Sequence, residues 1–262
     1  MSRRMPTGTC NICGRVGPLS YEHVPPRSAF NDQKVLLASV DDYWNRGPGQ
    51  GREARGKQLQ AGYGANTLCE RCNRTTGRWY VPFFADWCRQ GMEFYDRTGG
   101  KASLLYFSTL YPLPILKQVV TMFLARNGGG FRADKKEPLV RFVLNQEARY
   151  LDPKFRFWVY YVAPGPLRDT PPCAILNIET GRAVHGMEFS FPPFGYMMTI
   201  DSRPEDKRLF EITHFSRYGL YEQDRVSLCL GELPTHTPVL GDYRSFKAME
   251  KRGGEPNVVI TM

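Results

Sequence analysis

The sequence predicts an α+β fold, and three successive patterns along the chain support that class. Residues 1 to about 80 are rich in Gly, Pro, Cys and Arg and have little sustained periodicity. From Pro82 onward, apolar residues recur at spacings of three and four, which is typical of amphipathic helices. After Pro153 the period changes to two, which is typical of half-buried strands. We therefore expect an N-terminal module at residues 1–85, then a helical segment and an antiparallel β-rich domain at 86–262.

Two C-x2-C pairs distinguish the N-terminal module. One pair is Cys10 and Cys13, and the other is Cys69 and Cys72. Each pair makes a tight turn that directs two thiolates to one ion, so the two together are typical of a tetrahedral zinc site. The 55 residues between the pairs exceed the usual spacing of a zinc ribbon. Something substantial is therefore expected between the two halves of the site, including a mobile, basic loop from Asn45 to Gln58.

The helical segment contains three candidate helices. Pro82 suits the first turn of one helix, which the sequence Thr98-Gly99-Gly100 should end. A second helix is expected from Pro114 to Arg126, with a stop at the Asn-Gly-Gly-Gly sequence that follows. A third is expected from Pro138 to Ala148.

The C-terminal domain contains short apolar runs separated by Gly, Pro or charged turns. An alternating segment from Phe155 to Tyr161 opens the series. The later runs are CAILNI, MEFSF, YMMTID, LFEITHF and RVSLCL. These runs predict an antiparallel sheet of about six strands.

The charge of the chain favours a polyanionic partner. Its formal net charge is +9, and residues 1–80 hold 12 Lys and Arg against 6 Asp and Glu. Basic side chains that neutralise phosphates release condensed counterions, so this excess suits nucleic acid, although simple solubility is the alternative. No apolar run approaches the length of a membrane span, and no signal peptide is expected, so a cytoplasmic protein with no membrane partner is the default prediction.

The sequence Tyr-Glu-His-Val-Pro-Pro between the cysteine pairs holds the strongest candidate for chemistry. Hydrolysis of a phosphodiester needs a base for water and a cation for the developing charge. The neutral imidazole of His23 suits the first task, and an oxygen-ligated Mg²⁺ or Mn²⁺ suits the second. Glu22 and His23 are adjacent on an extended segment, so their side chains should point to opposite sides.

These residues together resemble the HNH endonuclease family. The resemblance rests on C-x2-C, Glu-His-Val-x-Pro, and Asn-x2-Cys-x2-Cys-Asn with a Gly soon after, all within the first 80 residues. It implies a zinc-stapled ββα-metal module that cuts nucleic acid to leave 5′-phosphate and 3′-hydroxyl ends. The substrate is expected to be double-stranded DNA, because nothing resembles an RNA-recognition motif. Similar architectures occur in bacterial and phage-borne nucleases of defence and mobile elements.

By this resemblance, each motif position acquires a role. His23 corresponds to the general base, Glu22 to the acidic position that helps bind the catalytic divalent ion, and Asn73 to a ligand of the same ion. Asn66 corresponds to the middle asparagine, whose amide braces the loop that carries the base. The phosphate backbone is expected to contact Arg27, Arg74 and Arg78, although a solvated basic face is the alternative for Arg74 and Arg78. The family more often has Asp where this chain has Glu22, and compact members have a shorter segment between the base and the middle asparagine.

The alternative hypothesis is a non-catalytic function. A zinc-stabilised adaptor that binds DNA or protein would share the cysteines and the basic charge, but would not need Glu22, His23, Asn66 and Asn73 together. The C-terminal region resembles no family, and its roles could include target reading, regulation, homodimer formation or binding of a protein partner.

The remaining histidines and cysteines are expected to be structural. His214 falls on the same face of an alternating run as Phe210 and Ile212, so it is predicted to be a buried, hydrogen-bonded core histidine on a strand. His185 and His236 have no Asp, Glu or Cys nearby at ligand spacing. The three unpaired cysteines, Cys88, Cys173 and Cys229, are expected to be small buried apolar residues.

Overall fold

The computed structural model describes residues 5–46, 53–99, 104–127, 133–178 and 180–250. Its fold is α+β, as the sequence predicts. The first elements in chain order are β1 (Thr7–Thr9), β2 (Val16–His23), β3 (Val35–Ala38), α1 (Val40–Arg46), β4 (Gly56–Leu59), β5 (Gly64–Cys69), α2 (Glu70–Thr98), β6 (Leu104–Leu110), α3 (Pro112–Asn127) and α4 (Ala133–Leu144). The later ones are β7 (Phe155–Val162), β8 (Asp169–Asn177), β9 (Arg182–Phe191), β10 (Phe194–Ile200), β11 (Phe210–Glu211), a 3-10 helix (Thr213–Arg217), β12 (Asp224–Leu230), β13 (Glu232–Leu233) and α5 (Phe246–Glu250).

A small antiparallel sheet and the long helix α2 form the N-terminal module. The strand order is β1-β2-β5, and α2 begins directly after β5. Strand β2 pairs with β5 from Leu19 opposite Cys69 to His23 opposite Gly64, with a bulge between Ser20 and Tyr21. A bulge shifts the alternation of side chains by one residue. The bulge in β2 therefore determines which side chains after Ser20 point toward α2.

A ribbon of β3 and β4, with α1 between them, is inserted into this module. None of the residues in 35–45 and 53–59 is fully buried. The prediction of a loop from Asn45 to Gln58 is wrong at both ends, because α1 includes Asn45 and β4 includes Gln58. Residues 47–52, in the middle of that expected loop, lie outside the described residues.

Helix α2 is longer than the sequence predicts. It begins at Glu70, not near Pro82, and Pro82 lies exposed in its interior. Proline removes one helical hydrogen bond, but burial of Tyr80, Phe84 and Trp87 on one face of α2 favours a continuous helix. The helix ends as predicted, at Gly99, whose φ of +63° is the left-handed conformation that glycine adopts readily.

Helices α3 and α4 pack beside α2. Helix α3 matches its predicted span to within two residues, and its residues from Leu113 to Ala125 are all buried. Helix α4 begins earlier than predicted, with Pro138 in its interior, and ends at Leu144. The described helices include none that is long and apolar enough to cross a membrane.

The C-terminal region forms a six-stranded sheet of order β11-β7-β10-β9-β8, with β13 paired to β7. The number of strands agrees with the prediction, but the sixth strand is β13, which was not predicted and pairs parallel with β7. Two predicted runs also behave differently. The run at Arg225–Leu230 belongs to β12, which pairs with β6 outside this sheet. In the run at Leu209–Phe215 the strand stops after two residues, because the backbone N–H of Phe157 donates to the Thr213 hydroxyl (2.9 Å) and a 3-10 helix follows.

One continuous core joins the module to the C-terminal sheet. Leu19 of β2, Phe84 of α2, Val119 of α3 and Phe157 of β7 belong to the same cluster of buried side chains. The expected boundary between residues 85 and 86 lies in the middle of α2. The module is therefore one end of a shared core, and the position of the strand that ends at His23 depends on the rest of the chain.

Candidate functional site

The two cysteine pairs come together as the sequence predicts. Cys10 and Cys13 lie in the turn after β1, while Cys69 ends β5 and Cys72 lies in the first turn of α2. The four Sγ atoms lie within 4.8 Å of one another, and those of Cys13 and Cys69 are 3.8 Å apart. A tetrahedral site with zinc–sulfur distances of about 2.3 Å requires sulfurs about 3.8 Å apart. The cluster therefore fits a metal ion such as zinc.

The protonation of these thiols is coupled. A hydrogen bond with Cys72 lowers the pKa of Cys10 to about 4, and the same contact raises the pKa of Cys72. Burial raises the pKa of Cys13. Four thiolates at this distance repel one another, so full deprotonation of the cluster requires a cation between them.

Two asparagine side chains hold β2 at its bulge. The Nδ2 atom of Asn73 on α2 donates to the Ser20 hydroxyl (3.1 Å) and to the Tyr21 carbonyl (3.1 Å). Nδ2 of Asn66 on β5 donates to the Leu19 carbonyl (3.2 Å). The predicted motif residues Asn66 and Asn73 thus both contact the strand that carries Glu22 and His23.

His23 ends β2 with its imidazole in a defined orientation. Its Nε2 lies 2.8 Å from the Ala61 carbonyl oxygen, and its ring meets that of Tyr21 edge to face with centroids 5.0 Å apart. A carbonyl oxygen only accepts hydrogen bonds, so Nε2 carries the proton of the neutral ring. Nδ1 is then the nitrogen with a lone pair, and it is the atom of His23 that can accept a proton from water.

Glu22 lies on the other side of the strand from His23, as the sequence predicts. Its side chain is buried, with 7% exposed, whereas His23 is half-buried. Burial raises the pKa of Glu22 to about 8. Among the described residues, no hydrogen bond or ion pair to this carboxyl is found. A buried carboxylate without a partner is unfavourable, so a cation at this position would stabilise it.

Asn31 is a residue of this site that sequence reasoning missed. It is fully buried, and its Nδ2 donates to the carbonyls of Pro25 (2.6 Å) and Tyr63 (2.7 Å). Its Oδ1 accepts from the Tyr63 backbone N–H (2.6 Å). Asn31 therefore braces the turn that follows His23, the role expected of Asn66. A single asparagine after Ala29 and Phe30 carries no sequence signal for that role.

The predicted phosphate-contacting residues are accessible. Arg27, Arg74 and Arg78 are all exposed. Arg74 forms an exposed ion pair with Glu70 at 3.3 Å, a contact that contributes little to stability. Glu70, Arg71, Arg74, Thr75, Gly77 and Arg78 line a surface depression at the start of α2. The positive charge thus lies on the same helix as Cys72 and Asn73.

The other histidines and single cysteines take different positions. His214 lies in the 3-10 helix and not on a strand, half-buried with its ring centroid 4.9 Å from that of Phe215. His185 is exposed on β9. Cys88 is buried as predicted and Cys173 is partly buried, but Cys229 is exposed, because it alternates outward along β12.

The described residues contain no second group of three or more His, Cys, Asp or Glu side chains with metal-ligand geometry. A divalent ion beside Glu22 would therefore take most of its remaining ligands from amides, water and substrate. Searches of protein-family models, curated proteins and solved structures find no match to this chain. The resemblance to HNH endonucleases thus stays a prediction, and a function has to be inferred from the arrangement of the side chains.

Proposed function

We propose that this chain is a metal-dependent endonuclease that hydrolyses phosphodiester bonds of DNA. The observation that carries the proposal is the fixed orientation of His23, whose Nε2 donates to the Ala61 carbonyl and whose Nδ1 is left as an acceptor. A histidine held in this tautomer, at the end of a strand clamped by two asparagines, is suited to act as a general base.

Zinc is proposed to hold the module together. Cys10 and Cys13 would fix the turn before β2, while Cys69 and Cys72 would fix the junction of β5 and α2. Binding of zinc to four thiolates contributes directly to folding, because the site does not exist in the unfolded chain. The zinc is thus structural in this proposal.

A second ion, Mg²⁺ or Mn²⁺, is proposed to be held by the Glu22 carboxylate and the Asn73 amide oxygen. The nitrogen of this amide is already occupied by Ser20 and Tyr21, and its oxygen accepts no hydrogen bond from the described residues. Carboxylate and amide oxygens with several waters are the usual ligands of these ions. When bound, the ion would stabilise negative charge on the phosphate and the leaving oxygen. Because Glu22 and His23 lie on opposite sides of β2, the proposal requires a rotamer change that brings the Glu22 carboxylate to the side of His23.

In the proposed reaction, Nδ1 of His23 removes a proton from water as the water oxygen attacks phosphorus. The bond between phosphorus and O3′ breaks, and O3′ takes up a proton from solvent. The products are a 5′-phosphate and a 3′-hydroxyl. Exposed Arg27, Arg74 and Arg78 would position the phosphate backbone without reading its sequence.

Plasmid nicking tests this function. Purified protein is incubated with supercoiled plasmid and Mg²⁺ or Mn²⁺, with EDTA in a parallel reaction, and the ends are analysed by polynucleotide kinase labelling before and after phosphatase treatment. Metal-dependent nicks with 5′-phosphate ends are expected. DNA binding without cleavage under either ion would contradict the proposal and favour the adaptor.

A further inference from the structure

We infer that Tyr63 is a positioning residue for His23, through which α3 and β8 hold the catalytic turn. The inference rests on the proposed function, because it assigns Tyr63 a part in that reaction. Tyr63 lies directly before β5, and its backbone and hydroxyl contact different parts of the molecule.

The backbone around Tyr63 frames the turn that follows His23. The Tyr63 carbonyl accepts from the Val24 N–H (3.0 Å) and from Asn31 Nδ2 (2.7 Å). Two residues earlier, the Ala61 carbonyl accepts from Nε2 of His23. A shift of the segment 61–63 would therefore move both the backbone after His23 and the acceptor that sets its tautomer.

Close packing leaves this segment little freedom toward Asn31. Gly62 has a φ of +91°, and a Cβ atom there would lie 2.1 Å from the Asn31 carbonyl oxygen. Only glycine, which has no Cβ atom, fits at this position. The Gly62 carbonyl also accepts from the Tyr21 hydroxyl at 3.3 Å, which ties the segment to the ring beside His23.

The side chain of Tyr63 is anchored outside the module. Its hydroxyl donates to the Asp169 carboxylate at the start of β8 and accepts from Nη2 of Arg126 near the end of α3. Arg126 also pairs with Asp169, and its guanidinium lies 4.7 Å from the centre of the Tyr63 ring. The Arg126 and Asp169 side chains are only 21% and 23% exposed, so water competes weakly for these contacts.

These contacts form a continuous path from the C-terminal sheet to the proposed base. Burial raises the pKa of Tyr63, so the hydroxyl keeps its proton and remains a donor to Asp169. Loss of the hydroxyl would release the side chain from β8 while leaving the ring in place. Because small displacements of a base cost much of its rate, the expected effect is on kcat.

The test compares Tyr63→Phe with Tyr95→Phe. Tyr95 on α2 also joins a carboxylate of the C-terminal region, Glu232, at 2.6 Å. Among the described residues, no hydrogen bond or ring contact joins Tyr95 to the turn after His23. In plasmid nicking, Tyr63→Phe is expected to lower kcat at least about tenfold with KM unchanged, while Tyr95→Phe stays near the parent. Equal kcat for the two variants, or a change confined to KM, would overturn the inference.

Asp169→Ala supplies a second variant that leaves Tyr63 in place. If both substitutions act through one contact, Tyr63→Phe combined with Asp169→Ala is expected to lower kcat no more than the stronger single variant. Multiplied effects in the double variant would overturn the inference.

A measurement without DNA separates this inference from the proposed function. Nitrogen-15 NMR of labelled histidine reports the protonation state and tautomer of each of the four imidazoles. Tyr63→Phe is expected to move the His23 resonances toward those of a tautomer-averaged ring and to leave His185 unchanged. An unaltered His23 spectrum would overturn the positioning role even if the parent cuts DNA, whereas a parent that fails to cut would overturn the function alone.

Discussion

At the scale of single residues, Glu22 is a carboxyl that has no hydrogen bond or ion pair among the described residues. It is buried, and burial raises its pKa to about 8. Glu22→Gln keeps the volume but cannot ionise to a carboxylate ligand, so Mn²⁺ affinity measured by calorimetry should fall by at least about tenfold with zinc content unchanged. Glu70→Gln, which alters an exposed acid in the first turn of α2, is the control. Equal Mn²⁺ affinity in the parent and Glu22→Gln would exclude Glu22 as a ligand.

The site residues that the sequence predicts belong to a short local motif, whereas those it does not predict depend on contacts between distant parts of the chain. The C-x2-C spacing places two thiolates on one turn regardless of the rest of the fold, so the cysteine cluster was predictable. Asn31 and Tyr63 are 32 residues apart, and Tyr63 and Asp169 are 106 apart. The first contact joins two distant parts of the module, and the second exists only once β8 packs against the module, so no local pattern encodes either of them.

At the scale of elements, the helices illustrate how burial overrides local preference. The sequence predicts helix starts at Pro82 and Pro138, yet both prolines lie inside helices. In α2 the apolar face on either side of Pro82 is buried against the core, which offsets the missing hydrogen bond. The end of α2 was predictable, because a glycine in the left-handed conformation is a local signal.

The contact between α3 and α4 predicts a pH dependence of stability. Lys117 is fully buried, and its Nζ donates to the carbonyls of Phe142 (2.6 Å) and Asn145 (2.7 Å). Burial lowers the pKa of Lys117 to about 7, whereas an unfolded lysine has a pKa of about 10.4. Between these values the unfolded chain binds more protons, so this lysine makes the free energy of unfolding increase as pH rises.

Substitution of this lysine isolates its contribution. In urea unfolding from pH 7 to pH 10, the free energy of unfolding of the parent should contain an increase with pH that comes from Lys117. Lys117→Met should lack that increase. The difference in unfolding free energy between parent and variant should therefore change steadily in favour of the parent as pH rises. Parallel pH profiles would show that Lys117 titrates alike in the folded and unfolded chains.

At the scale of the whole molecule, the class of fold was predictable, but the sharing of one core between the module and the C-terminal sheet was not. The change of period from three or four to two identified helices followed by strands. That pattern does not indicate which strands pair. The pairing of β6 with β12, two strands far apart in sequence, was therefore not predicted. The pattern also cannot reveal that residues from β2 to β7 share one core.

The shared core predicts that the module does not fold alone. A fragment of residues 1–99 keeps all four clustered cysteines and the whole of α2, but exposes Phe84 and Trp87, which the full chain buries. Exposure of two large aromatic side chains costs about 3–6 kcal/mol, which is a large part of typical domain stability. With zinc present, the amide NMR spectrum of this fragment should be poorly dispersed. A well-dispersed spectrum would demonstrate an independent module.

The central claim is that His23 is the base of a hydrolytic site, and one comparison tests it most directly. His23→Ala and His185→Ala each remove one imidazole, and His185 is exposed on β9, away from the strand β2. Under single-turnover conditions with Mg²⁺ or Mn²⁺, His23→Ala should nick plasmid about 10² to 10⁴ times more slowly than the parent, with DNA binding retained. His185→Ala should match the parent. Equal nicking by His23→Ala and the parent would contradict the account.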